Sequence, residues 1–318
     1  MSLSRFTTQE INLWKEFVQF QHNFNREYPS LEEHDRRFDI FKHNFQEILN
    51  HNSANSANFT LGINQFTDLT HEEFKQQHLG YNLETVVRQT TSCTKFATTG
   101  AAVPTSVDWR ANNAVTPVKD QGQCGSCWSF SATGAMEGAW AIAKGSLVSL
   151  SEQQLVDCSR KYGNLGCNGG LMDSAFEYSI DNGACSESAY PYTASGGSCH
   201  TCQTVVKITK CSDVQANNQV ALKEAVAKGP VSIAIEADTA IFQSYRSGVI
   251  TSASCGTNLD HGVLIVGYGV QDNIKYWLVK NSWSSSWGDA GYVKIERSDS
   301  TNDKGICGVA MQASFPIV

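Results

Sequence analysis

An α+β fold in two successive parts is what this sequence predicts, and three observations carry that expectation. Histidines concentrate early, with six of eight before residue 90, whereas ten of eleven cysteines lie beyond residue 120. Aromatic residues recur at helical spacing near the N-terminus. Runs of β-type residues fill the last third of the chain. With 318 residues and 41% hydrophobic content, the chain is long enough for about two domains of ~150 residues each.

The first part opens with a helix over residues 7–28, where Ile11, Trp14, Phe17, Phe20, Phe24 and Tyr28 make one aromatic face. Pro29-Ser30 starts a second helix with the stripe Leu31, Phe38, Phe41, Phe45 and Ile48. Glu33 and Arg37 stand four apart on it and can pair. "ANFTLGINQFTDL" (57–69) reads as a short strand and turn. Residues 90–105, rich in Thr, Ala and Gly, read as an exposed linker open to proteolysis. Beyond it, a helix over 127–144 stops at Gly145, and "NNQVALKEAVAKGP" is a helix ended by Gly229-Pro230. "VSIAIEA", "GVLIVGYGV", "IKYWLVKNSW" and "GYVKIER" read as strands. A helical lobe followed by a β lobe implies a cleft between them.

Net charge is −7, with no basic stripe for nucleic acid and no apolar run long enough to span a membrane. The first residues lack the apolar core of a secretory leader, yet the cysteine density favours an oxidising compartment. A leader removed before this sequence begins reconciles the two and argues against a cytosolic home.

"QGQCGSCWSF" (121–130) carries Cys124 and Cys127 two residues apart. A redox dithiol would need a βα junction that "AVTPVKDQGQ" does not supply. A zinc site would pair them with Cys199 and Cys202, across a separation much longer than a zinc ribbon's. A nucleophilic cysteine instead demands a base and a group to orient it. His200 lies in a loop, "SCHTC". His261 opens a strand 134 residues after Cys127, and Asn281 follows 154 residues after it. This spacing matches the stated papain-type pattern of a Cys-Gly-Ser-Cys-Trp block with His and Asn downstream.

On these blocks, together with "VPTSVDWR", "CNGGLMD", "DHGVLIVGYG" and "KNSW", the chain resembles papain-family cysteine proteases of the cathepsin L-like subfamily, in zymogen form. Glu33, Arg37, Phe41, Asn44, Ile48 and Asn52 match the subfamily's first propeptide motif; Gly62, Asn64, Phe66 and Asp68 match its second. The resemblance implies an inhibitory propeptide over 1–102 and a papain-like peptidase over 103–318. Its helical lobe would span about 110–212 and its β-barrel-like lobe about 213–318. Cys127 is then the nucleophile, His261 the base, Asn281 its orienting group under Trp283, and Gln121 an oxyanion donor. Gly169 and Gly170 would meet the substrate backbone. Leu171, Met172, Ala234, Leu259 and Gly262 would line the S2 pocket, with Gln312 at its floor. Glu33, Arg37, Phe66 and Asp68 would hold the propeptide, with Gly80 near Cys127 and Tyr81 in S2, the segment running opposite to a substrate.

The resemblance also implies disulfides Cys124–Cys167, Cys158–Cys199 and Cys255–Cys307. Some members suggest a fourth, Cys185–Cys202, which would leave Cys93 and Cys211 unpaired; Cys202–Cys211 is the alternative. Ser284 and Ser286 stand where the family often has Gly. No cofactor or metal is expected. Protein and peptide substrates and the chain's own propeptide are the expected partners, and a monomer the expected state. Acid is expected to trigger maturation within about residues 92–103 by protonating local carboxylates such as Asp68 and Glu33. The alternative class is a catalytically inactive papain-like binding or scaffold protein, which loss of the nucleophile, base or donor would mark.

Overall fold

The computed structural model describes residues 8–54, 58–81, 93–251 and 255–318. In chain order the elements are α1 (Thr8–Asn23), α2 (Leu31–Ser53), β1 (Phe59–Leu61), α3 (His71–His78), β2 (Thr94–Lys95), β3 (Val107–Asp108) and α4 (Cys127–Lys144). Then come α5 (Glu152–Cys158), α6 (Met172–Asn182), β4 (Ala184–Cys185), β5 (Thr204–Val206), β6 (Lys210–Asp213), α7 (Gln219–Val226) and β7 (Val231–Ile235). The chain ends with α8 (Ala240–Gln243), β8 (Tyr245–Ile250), β9 (His261–Gln271), β10 (Ile274–Lys280), β11 (Tyr292–Glu296) and β12 (Ala313–Ile317).

Aromatic periodicity produces the first unit. Phe17, Phe20 and Phe41 are buried between α1 and α2, with Phe17 and Phe41 centroids 5.2 Å apart. The first helix ends at Asn23, so Phe24 and Tyr28 pack from beyond it. Leu31 is 84% exposed and lies off the stripe expected to bury it, because it occupies the first turn of α2. The Ser30 side chain caps α2 by accepting from the Glu33 N–H at 3.1 Å. On α3 a reciprocal capping box joins Thr70 and Glu73.

One sheet runs β1-β8-β11-β10-β9-β7-β12-β6-β2, with β3 on β9. Both ends of this order come from the first 102 residues: β1 pairs antiparallel with β8, and β2 pairs parallel with β6. The linker is exposed over most of its described length, as expected, yet it is hydrogen-bonded to β6 at Thr94 and Lys95; residues 90–92 lie outside the described residues. β6 also joins the sheet from the region expected to be wholly helical, which moves the lobe boundary a few residues earlier.

α4 is the central helix. Gly134 lets β9 approach, since a Cβ there would meet Leu264 Cδ2 at 2.7 Å. It ends at Gly145, in the left-handed conformation at φ 70°. The apolar core has two large clusters on either side of the lobe junction, one around the sheet and one around α4 and α6. Ile48, Phe59, Phe66 and Phe74 from the N-terminal part belong to the sheet cluster, so that part is packed into it. Among the described residues no helix is long and apolar enough to cross a membrane.

Four disulfides pair as the resemblance implied: Cys124–Cys167, Cys158–Cys199, Cys255–Cys307 and Cys185–Cys202. Cys93 and Cys211, expected to be unpaired, form a fifth. Strand pairing of β2 with β6 brings their Cα atoms to 4.5 Å, within bridging distance. Cys127 is the free cysteine among the described residues.

Candidate active site

Cys127 is the first residue of α4, and no side chain caps that helix. The Trp128 N–H of the first turn is turned toward the sulfur, which accepts from the Gly262 N–H at 3.3 Å and also meets the Gly80 N–H. His261 begins β9 and Asn281 follows the last residue of β10, so antiparallel pairing of these strands sets them side by side. His261 Nε2 and Asn281 Oδ1 are 2.8 Å apart. That contact fixes the ring and leaves Nδ1 as a buried nitrogen with no hydrogen-bond partner. Trp283 stacks on the imidazole, with centroids 4.5 Å apart.

The Gln121 side chain is held between two contacts. Its oxygen accepts from Ser282 Oγ at 2.7 Å, which aims the amide at the Cys124 carbonyl, 2.9 Å away. The same amide donates to the carbonyl of His78, also at 2.9 Å. Gln121, Cys127, His261 and Asn281 are thus gathered as the sequence predicted, each at most 3% exposed.

The segment after Phe74 fills the cleft. Gly80 and Tyr81 N–H groups donate to the Asp260 carbonyl at 3.2 and 2.9 Å, and the Gly170 N–H donates to the Gly80 carbonyl at 2.9 Å. A Cβ at Gly80 would stand 1.9 Å from the Gly125 oxygen, so only glycine fits this crossing. Tyr81 is buried in one apolar cluster with Leu171, Met172 and Ala234, against partly buried Leu259. Gly262 lies against the Met172 sulfur. Gln312 is partly buried, its carbonyl accepting from the Ala234 N–H at 3.1 Å. Gly169 takes φ 111°, and a Cβ at Gly170 would enter the Trp128 ring at 2.7 Å.

The N-terminal part reaches the site through aromatic contacts. Phe66 and Phe74 meet Trp283 edge-on, at 5.4 and 5.2 Å. Behind them Arg37 bonds Glu33 at 2.6 Å and Glu73 at 2.7 Å, while Arg36 bonds Glu73 at 2.7 Å. Asp68 accepts from Tyr28 at 2.9 Å and lies 3.5 Å from Arg26. Ser284 adopts φ 64°, the left-handed backbone that the family's glycine would favour. Gln65 clamps this corner, donating to the Trp283 carbonyl at 2.6 Å and accepting from Ser286 Oγ at 3.1 Å. His200 is exposed and stacks on Tyr190, away from the site.

Occlusion changes the chemistry. Burial pushes the Cys127 thiol up to about 12, against the pull of the N–H groups around it. Burial also takes His261 down to about 4, although Asn281 favours its charged form. Both groups are therefore neutral in the closed chain at ordinary pH. The nearby Glu73 is held down to about 2, its Arg37 and Arg36 partners and the Thr70 N–H outweighing burial. Asp68 moves the other way, raised by burial. This corrects the expectation that Asp68 protonation releases the N-terminal part. A carboxyl whose proton is bound more tightly in the closed state favours that state in acid.

The resemblance implies that "HLGY" (78–81) lies across the site, which includes His78 but not its contact with Gln121; sequence reasoning missed Asp260, Gly125, Gln65 and Glu73. Only Glu73 had a signal, the Thr70-His-Glu-Glu73 capping box. The others act through backbone atoms or contacts that no short motif encodes.

With this geometry in hand, comparison with known proteins is decisive. The papain family cysteine protease signature covers residues 103–317, and the cathepsin propeptide inhibitor domain (I29) covers 17–74. The chain belongs to the papain family of cysteine proteases. It is 46% identical over 299 residues to germination-specific cysteine protease 1 of Arabidopsis thaliana, covering 90% of this chain and 78% of that protein. Recombinant stem bromelain precursor superposes with a TM-score of 0.89 at 41% identity, covering 96% of this chain and 99% of the other. Digestive procathepsin L 3 of the Tenebrio molitor larval midgut gives 0.88 at 41% identity, with the same coverage. The protein is accordingly a cathepsin L-like cysteine protease in proenzyme form, with the α+β papain-like fold.

Proposed function

We propose that residues 1–102 are an inhibitory prosegment and that residues 103–318 become a cysteine endopeptidase when it leaves. The observation that carries this reading is the His78 carbonyl on the Gln121 amide, with Gly80 crossing the Cys127 sulfur. A substrate's scissile carbonyl needs that same amide donor as its oxygen becomes an anion. The prosegment places no scissile carbon on the sulfur in a productive direction; its Tyr81 pairs parallel with Gly170, the reverse of the substrate polarity we assign.

With the prosegment gone, water reaches the cleft and the burial that keeps Cys127 and His261 neutral is relieved. The helix N-terminus then favours the thiolate and Asn281 the imidazolium. The sulfur attacks the amide carbonyl, Gln121 and the Cys127 N–H bind the oxyanion, and His261 gives its proton to the departing amine. Water, losing a proton to His261, attacks the thioester and releases the acid and the thiol. Leu171, Met172, Ala234, Leu259 and Gly262 form the S2 pocket, Gln312 lies at its floor, and Gly169-Gly170 align the substrate backbone. An acidic endocytic compartment or the cell exterior suits an enzyme with five disulfides and a neutralised resting site.

The test is hydrolysis of a fluorogenic peptide with Leu at P2 after acid incubation of the full chain with a thiol reductant, with and without a subsequent excess of a thiol-alkylating reagent. Acid-dependent turnover abolished by alkylation is expected. No turnover after complete loss of the prosegment would contradict the reading.

A further inference from the structure

The Cys93–Cys211 disulfide joins a residue on the prosegment side of the proposed boundary to a buried cysteine of the peptidase. More than sulfur holds this junction. Thr94 and Lys95 pair with Ser212 and Asp213, and the Phe96 N–H donates to the Asp213 carbonyl at 2.8 Å. The Phe96 ring meets Phe315 edge-on at 5.4 Å, under the Lys228 ammonium at 4.7 Å. Next, the Glu224 carboxylate accepts from the N–H and hydroxyl of Thr99 and from the Gly100 N–H. Thr94–Lys95 are therefore an edge strand, and the Glu224 clasp on Thr99 and Gly100 docks the chain beyond it. Between Ala102 and Ser106, by contrast, no backbone N–H donates to another described residue, and the Pro104 carbonyl accepts from the Tyr268 hydroxyl at 3.0 Å.

A protease needs an extended backbone that it can draw into its own cleft. The paired stretch, held by strand pairing, a disulfide and the Glu224 clasp, resists this more than the stretch after it, which directs cleavage to the C-terminal side of Gly100. That bond is also C-terminal to Cys93. We infer that cutting it leaves the prosegment covalently attached through Cys93–Cys211, so that a thiol reductant, and not proteolysis alone, releases the active site. This rests on the reading of residues 1–102 as an inhibitory prosegment.

The consequence is kinetic. A cut but tethered prosegment rebinds intramolecularly, at an effective concentration on the order of millimolar. A cut and untethered one is diluted away. Release is a two-electron reduction. One low-molecular-weight thiolate attacks a sulfur of the bridge and expels the other as a thiolate, which takes up a proton. A second thiol resolves the mixed disulfide, so that Cys93 and Cys211 end as thiols and the two reductant thiols end as one disulfide.

The experiment uses the full chain carrying Cys127→Ala, purified without reductant. A trace of the unmutated enzyme, reduced and then freed of thiol, cuts it at acid pH, and intact masses are recorded. The expected result is one disulfide-linked species without reductant and two separate fragments with it. In the Cys93→Ser variant of the same chain the fragments separate without reductant. A fragment that leaves the unmutated pair without reductant overturns the inference, as does alkylation of Cys93 or Cys211 in the uncut chain. Should Cys93→Ser fail to fold, the alkylation map of the chain with both cysteines decides alone. A second arm dilutes cut, Cys127-active chain at neutral pH. Activity per enzyme should stay constant on thousandfold dilution until thiol is added, and rise on dilution alone in Cys93→Ser; a rise on dilution with the bridge intact also overturns it. The mass result does not depend on inhibition, so a missing tether leaves the prosegment reading standing.

Discussion

The carbonyl oxygen of His78 lies 2.9 Å from the side-chain nitrogen of Gln121, on the donor that the proposed mechanism reserves for the oxyanion. One hydrogen bond thus joins latency to catalysis: the group that would stabilise the transition state is occupied by the inhibitor's backbone. Gln121→Ala should lower kcat by ~10²–10³ with a much smaller change in KM, as for other lost oxyanion donors. Steady-state kinetics on the processed enzyme checks this, and an unchanged kcat would remove Gln121 from the site.

Gly80 crosses the cleft where a Cβ would meet the Gly125 oxygen at 1.9 Å. Backbone cannot yield as a flexible side chain would, and overpacking of this kind costs about 1–3 kcal/mol. Gly80→Ala in the full chain should therefore raise activity at neutral pH about tenfold. A progress curve from freshly purified chain, before any processing, reads it directly.

Acid release has a definite sign at His78. Burial lowers its imidazole to about 4, from an ordinary value of 6.5. As pH falls from 6.5 toward 4, the open state gains a proton that the closed state excludes, so closure weakens by up to about 3 kcal/mol. Glu73 acts at lower pH: its ion pairs support closure above about 4.5, and that support fades as pH falls toward 2. His78→Gln keeps a donor for the Gly122 carbonyl and cannot titrate, so its activation midpoint should move to lower pH. Asp68→Asn should leave latency at neutral pH intact. Activation followed against pH in the three proteins tests both statements; a midpoint unmoved in His78→Gln would count against His78.

The S2 pocket assigned to Leu171, Met172, Ala234 and Leu259 is apolar, and Gln312 offers an amide but no charge. Burying Leu at P2 gains ~2 kcal/mol over leaving it exposed, whereas an unpaired guanidinium is costly to desolvate. Matched substrates with Leu or Phe should exceed Arg by at least about tenfold in kcat/KM, about 1.4 kcal/mol. Gln312→Glu should narrow the gap, more so above pH 5 where the new carboxylate is ionised.

Much of this was legible because the chemistry demands particular residue types in order. Cys127, His261 and Asn281 could be named since a thiolate needs a base and the base an orienting group. The α4 stop at Gly145 and the pairing of Glu33 with Arg37 follow from local rules. What stayed hidden depends on long-range approach. Cys93 and Cys211 are 118 residues apart, and only the docking of β2 on β6 makes them neighbours. His78 and Asp260 contribute carbonyls, which every residue has. Burial set the direction for Asp68, and a sequence motif shows its charge but not its desolvation.

Latency as proposed requires that the prosegment hold Cys127 buried and neutral until it departs. Iodoacetamide modification of Cys127 tests this at pH 7, first in the intact chain and again after acid processing in thiol followed by removal of the thiol and the freed prosegment, with the site located by peptide mass. Negligible modification of the intact chain is expected, then rapid modification of the released enzyme that abolishes peptide hydrolysis. Ready alkylation of Cys127 in the intact chain, or hydrolysis that survives its alkylation, would contradict it.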